Sequence, residues 1–268
     1  MLTTSDYTSL PTVTADARLP YGHHPEQFGD LYLPNGAGPH PVALLIHGGC
    51  WQAAYNLAGL GQLAAAIRGL GVAVWSIEYR RLGGGGGWPT TFRDVAAAAD
   101  TLRELAGRYP LDLRRVVSVG HSAGGHLALW LAGRAKLPPD SDCYAAEPLA
   151  LRGVLSLAGI ADLADGVRRE LCGGACAELL GGLPSEQPKR YAEGSPASLL
   201  PLGVPQIHLI GAQDTIVPPA HVQSFVAQVA GAGQARLELI ADAGHFEPVV
   251  ATSYAWPQVR AAIEELVG

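Results

Sequence analysis

Arg115-Val116-Val117-Ser118-Val119-Gly120-His121-Ser122-Ala123-Gly124-Gly125-His126-Leu127-Ala128-Leu129-Trp130-Leu131-Ala132 is a short apolar run, a glycine-rich hexapeptide and a second apolar run in good helix formers. The first run reads as a buried strand and the second as a helix. Between them Gly120-His121-Ser122-Ala123-Gly124 has the G-x-S-x-G spacing of a nucleophile elbow. Its glycines leave room for a turn so sharp that the serine oxygen is thrust out of the backbone. A hydroxyl held that way can attack a carbonyl, which makes Ser122 the candidate nucleophile.

Working outward, Val42-Ala43-Leu44-Leu45-Ile46 is a second buried-strand pattern and runs into His47-Gly48-Gly49-Cys50-Trp51. Glycines there let backbone N–H groups approach a carbonyl oxygen, and with the N–H of Ala123 they can bind the charge that develops during attack. The other partners should follow in the order serine, acid, histidine. Pro205 to Gly211 reads as a strand leading to Asp214, and Ala235 to Ile240 as another leading to His245. Both residues then fall on loops at the carboxyl ends of strands. His245 is the candidate base and Asp214 the group that orients it.

Each residue also has a plainer reading. Asp214 precedes Pro218-Pro219, where a helix should start, so it could simply cap or turn. Asp242 is a rival acid, although its closeness to His245 in sequence makes approach from beneath the ring awkward. His47 should order the oxyanion loop through hydrogen bonds, and His121 and His126 should flank the nucleophile as packing groups. His23-His24 lies in a polar stretch with no visible partner. Trp51 is either core or a wall for an acyl or aryl group. Trp51, Cys50 and His121 are the candidate substrate-contacting residues. Gly83 to Gly87 lacks the Lys-Ser/Thr ending of a P-loop and reads as a loop. Thr91 and Asp94 stand at capping-box spacing before a helix that runs towards Leu105.

These motifs resemble the esterase and lipase branch of the alpha/beta-hydrolase superfamily, in particular bacterial carboxylesterases related to feruloyl and acetylxylan esterases and to kynurenine formamidases. The resemblance runs from about Phe28 to the C-terminus and rests on HGGCW (47–51), EYR (78–80), GHSAGGHLA (120–128) and the ordered Asp214 and His245 loops. It implies an α/β fold with a mostly parallel central sheet, helices on both faces and a small cap segment. It also implies an oxyanion hole at Gly48, Gly49 and Ala123. Cys50 departs from relatives that carry a third glycine, and would narrow the mouth of the hole or shift which N–H groups point inward.

The chain has 268 residues, 48% of them apolar. That suffices for one large core over 1–268, with a possible cap insertion near 160–195. A cap there would lie over the pocket and select substrates. A net charge of −6 without a dense basic cluster argues against nucleic acid or an anionic membrane as partner. The start of the chain lacks a signal-peptide pattern, and no apolar run nears the roughly 20 residues that cross a bilayer. A cytoplasmic location is therefore expected, where a Cys172–Cys176 disulfide would not persist. Cys172 and Cys176 lack the spacing of a zinc site. The expected activity is hydrolysis of a small or aryl carboxylic ester through an acyl-serine, a chemistry that requires no metal or organic cofactor. Hydrolysis of an N-formyl amide is the alternative, and a non-catalytic binding module the remaining one.

Overall fold

The computed structural model describes residues 1–229 and 235–268. Its strands, in chain order, are β1 (Ala17–Pro20), β2 (Phe28–Tyr32), β3 (His40–Ile46), β4 (Ala73–Ile77), β5 (Leu111–His121), β6 (Gly153–Leu157), β7 (Gln206–Gly211) and β8 (Ala235–Ile240). They form one sheet in the order β1-β2-β4-β3-β5-β6-β7-β8. The β1–β2 and β2–β4 pairs are antiparallel, and every pair from β4 onward is parallel. The helices are α1 (Thr4–Thr8), α2 (Gly61–Arg68), α3 (Thr90–Asp100), α4 (Leu102–Leu105), α5 (Ala123–Gly133), α6 (Leu163–Arg168), α7 (Ala175–Leu180), α8 (Pro188–Gly194), α9 (Pro219–Val229) and α10 (Trp256–Val267).

β3 shows why the sheet lies between two layers of helices. All seven of its residues are buried, the continuous apolar pattern of a strand covered on both faces. Val42, Leu44 and Ile46 join one core with Trp75 and with residues of α3, α5 and α9, while Ala43 and Leu45 join a second core with α2 and α10. Each fully buried Leu or Ile contributes about 1.5–3 kcal/mol. α5 is apolar on every side and buried from Ala123 through Leu131, as a central helix must be.

The loop geometry after β5 depends on its glycines. A Cβ on Gly120 would collide with the Gly124 carbonyl, and one on Gly124 with the Ile46 carbonyl. The backbone of α5 can thus press directly against the end of β3.

The capping box expected at Thr91 and Asp94 does not form. α3 does begin at Thr90, but Thr91 Oγ1 donates to the Arg80 carbonyl at 2.6 Å and accepts from Gly87 N–H. Asp94 is taken by the Arg80 guanidinium at 2.6 and 2.8 Å and by the Gln27 amide at 2.7 Å. A charged partner distant in sequence outcompetes the local cap. Among the described residues no helix is long and apolar enough to cross a membrane.

Candidate active site

The carboxyl ends of β3, β5, β7 and β8 converge on one depression. Ser122 follows β5 with φ 54° and ψ −120°, a conformation unfavourable for a residue with a side chain and tolerated where the surroundings impose it. Its N–H donates to the Leu157 carbonyl at the end of β6, at 2.9 Å. His245 follows β8 and Asp214 follows β7. His245 Nδ1 donates to Asp214 Oδ2 at 2.6 Å. Asp214 Oδ1 accepts from the N–H groups of Ile216 and Val217 at 2.8 and 2.9 Å, so both carboxylate oxygens are committed. Asp214, His245 and Ser122 are all buried. Asp242, the rival acid, is exposed and among the described residues its side chain meets that of Gln213.

Ser122, His245, Gly48, Gly49, Cys50 and His121 line one cavity of about 330 Å³. A Cβ on Gly48 would stand 3.0 Å from the Ser122 Cβ, which locates the glycine loop directly beside the serine. Gly49 has φ 106°, and any side chain there would collide with Tyr55. Ala123 is the first residue of α5, where N–H groups lack helical partners.

The glycine loop is braced from behind by the EYR segment. His47 Nδ1 donates to the Gly48 carbonyl and Nε2 to Glu78 Oε1, each at 2.8 Å. Burial alone would raise the Glu78 carboxyl, but His47, Arg81 and the Tyr79 N–H together hold it below the ordinary range. Glu78 Oε2 also accepts from Leu57 N–H, and Tyr79 donates its hydroxyl to the His47 carbonyl at 2.9 Å.

His121 lines the cavity and holds the base loop. Its Nε2 donates to the His245 carbonyl at 3.0 Å, leaving Nδ1 bare. Burial first, and the adjacent His245 ring second, push His121 well below the ordinary imidazole range, so it stays neutral.

Residues 29–229 match the BD-FAE family. The chain belongs to the BD-FAE family. This is an esterase family of the alpha/beta-hydrolase fold. Solved structures of similar fold include a truncated carbohydrate esterase from gut microbiota, with TM-score 0.82 and 21% identity over 96% of this chain and 97% of that one. Another is an acetyl ester-xyloside bifunctional hydrolase from Caldicellulosiruptor lactoaceticus, with TM-score 0.75 and 17% identity over 96% and 99%. A propionate-bound esterase from Thermogutta terrifontis aligns with TM-score 0.72 and 21% identity over 94% and 93%. Among curated proteins, an uncharacterized protein of Mycobacterium tuberculosis is 33% identical over 107 residues, which cover 40% of this chain and 37% of that protein.

Several features of this BD-FAE chain depart from the expectations raised by its sequence. Trp51 is not a wall of the cavity. It is fully buried, packs edge-on against His126 at 5.2 Å, and has its carbonyl tied to the Leu82 N–H at 2.7 Å. Cys172 pairs with Cys50 rather than Cys176, their Cα atoms 5.6 Å apart, and Cys143 and Cys176 are free and buried. The expectation of reduced cysteines therefore fails for this pair. The segment between β6 and β7 forms α6, α7 and α8, and touches the cavity through the Cys172 bond to Cys50 rather than by lining it.

Two features were not expected at all. The cavity wall includes Thr4, Tyr7 and Thr8 of α1, with Tyr55 and Ile216. A second histidine–aspartate pair, His221 Nδ1 to Asp165 Oδ2 at 2.6 Å, links α9 to α6. Its other nitrogen accepts the Ala161 N–H at 3.1 Å, so it has no atom left for proton transfer. A larger cavity of about 580 Å³ shares Asn56 and Ala58 with the first and contains the Arg18–Asp30 and Arg81–Glu26 ion pairs, but no serine–histidine arrangement.

Proposed function

We propose that the protein is a serine carboxylesterase acting on small or aryl carboxylic esters through an acyl-Ser122 intermediate. The observation that carries this reading is the Asp214–His245 hydrogen bond of 2.6 Å in a loop that shares one cavity with Ser122 and the glycine loop. His245 Nε2 takes the proton from the Ser122 hydroxyl as Oγ bonds to the ester carbonyl carbon. The carbonyl oxygen becomes an oxyanion facing the N–H groups of Gly48, Gly49 and Ala123, each donor contributing about 3 kcal/mol. Asp214 fixes the tautomer with the proton on Nδ1 and stabilises the imidazolium. As the tetrahedral intermediate collapses, the carbon–oxygen bond to the alcohol breaks and His245 returns its proton to that oxygen. Water, deprotonated by His245, then attacks the acyl carbon, and Ser122 leaves with the proton.

The cavity of about 330 Å³ suits an acetyl or similarly small acyl group. Neighbours described as a carbohydrate esterase and an acetyl ester-xyloside hydrolase support such a substrate. The deciding experiment is kcat/KM of wild type and Ser122→Ala on p-nitrophenyl acetate and on N-formyl-L-kynurenine, with fluorophosphonate labelling of both proteins. Ser122-dependent labelling and turnover of the ester are expected. Preference for the formamide would replace the substrate class, and turnover by Ser122→Ala would overturn the mechanism.

A further inference from the structure

We infer that Tyr7, on α1, is a specificity-determining residue that walls the alcohol side of the ester, an inference that rests on the serine esterase reading above. α1 has five residues, of which Thr4, Tyr7 and Thr8 line the cavity of Ser122, and Tyr7 is its buried residue. The Tyr7 ring stacks on Phe246 with centroids 5.6 Å apart and planes 21° apart, and lies tilted against His121 at 5.9 Å. Phe246 in turn meets the His245 ring edge-on at 5.1 Å. Tyr7 thus stands on the His245 side of the serine.

That side has a chemical meaning. The proton His245 collects from Ser122 must be delivered to the departing alkoxide, so the alcohol oxygen lies against His245 and the remainder of the alcohol extends along whatever flanks that ring. The rings flanking His245 are His121, at 4.7 Å, and Phe246, and Tyr7 packs on both of them. The far end of Tyr7 fits a slot beside Gly59, where a Cβ would stand 2.7 Å from Cζ, so the ring is seated against the opposite wall.

α1 is also fastened to the base loop. Thr3 and Asp6 form a reciprocal capping box, with Thr3 N–H to Asp6 Oδ2 at 2.8 Å and Asp6 N–H to Thr3 Oγ1 at 3.2 Å. The next residue back donates Leu2 N–H to Glu247 Oε1 at 2.6 Å, while Glu247 Oε2 accepts from Gly244 N–H at 2.8 Å. One buried carboxylate therefore sets the distance between this wall and the residue preceding His245.

The test uses two ester series on wild type, Tyr7→Ala and Tyr7→Phe. One series holds acetate constant and enlarges the alcohol from ethanol through phenol to 2-naphthol. The other holds p-nitrophenol constant and lengthens the acyl group from acetate to hexanoate. Tyr7→Ala is expected to raise kcat/KM for the naphthyl relative to the ethyl ester by about tenfold, with the acyl-length profile shifting by less than about twofold. Tyr7→Phe keeps the ring and should keep the wild-type ranking of alcohols. Thr8→Trp, a change on the same wall, is expected to shift the alcohol ranking the opposite way, and decides the matter if Tyr7→Ala does not fold. An unchanged alcohol profile, or a change confined to the acyl series, would overturn the inference. Retained turnover in Ser122→Ala would instead strike the underlying mechanism.

Discussion

Cys50 and Cys172 are joined by a disulfide, which ties the residue after Gly49 to a helical segment 122 positions further along the chain. Both cysteines adopt positive φ, 53° and 58°, so the bond fastens two backbone turns that ordinary side chains disfavour. Closing a loop of this length stabilises by about 4–5 kcal/mol in the chain-entropy picture. The Cys50→Ala/Cys172→Ala variant, or wild type in a phosphine reductant, is expected to melt at lower temperature. Its kcat/KM on p-nitrophenyl acetate should fall about tenfold, because the Gly49 N–H is held less firmly. Melting curves and initial rates with and without reductant check both. An unchanged rate would show that His47, Glu78 and Tyr79 suffice to hold the loop.

Asp214→Asn separates orientation from packing. The amide oxygen can keep the bonds to Ile216 and Val217 N–H, while its NH₂ cannot accept from His245 Nδ1. kcat should drop by about 10⁴ with the fold retained. Asp242→Asn, at the exposed rival position, should alter kcat by less than about twofold, since surface changes away from the site are nearly neutral. Equal losses in the two variants would contradict the assignment of Asp214.

Buried histidines set an acid limit on stability. His126 and His208 are pushed down to about 4 by burial. Their folded values lie below the ordinary imidazole value, so between the two the unfolded chain binds more protons. Their contribution is complete above about pH 6.5 and is lost as pH falls towards 4, by roughly 3 kcal/mol for each ring. Thermal melts from pH 7 to 4 should show a steep fall in this window. His208→Leu should flatten it, because His208 has no hydrogen-bond partner among the described residues to lose. A slope unchanged by that substitution would refute the account.

The Asp165–His221 pair should matter for stability and not for rate. His221→Leu strands the Asp165 carboxylate, which keeps Arg168 and Arg169, and leaves the Ala161 N–H unpaired. A loss of about 2–3 kcal/mol in chemical denaturation is expected, with kcat of the folded enzyme unaltered. A large fall in kcat at full folding would give this pair a part in the reaction.

The catalytic candidates were legible because each depends on local pattern. A β-run followed by glycines defines the elbow, and Asp214 and His245 follow strands that the structure places within a residue of expectation, β7 at Gln206–Gly211 and β8 at Ala235–Ile240. What escaped depends on partners distant in sequence. Cys50 and Cys172 carry no spacing signal, Asp94 answers to Arg80 rather than to its own helix, and Tyr7 sits in a polar stretch whose contact with Phe246 nothing local announces. Trp51 left two readings open, and packing against His126 decided for the core.

The φ of 54° at Ser122 sets stability and activity against each other at a single atom. Glycine adopts that conformation freely, so Ser122→Gly should gain about 1 kcal/mol in stability while removing the hydroxyl proposed as the nucleophile. A population of variants screened only for heat resistance would drift towards glycine at position 122. One screened for turnover would keep the strained serine and recover its lost stability elsewhere in the sheet.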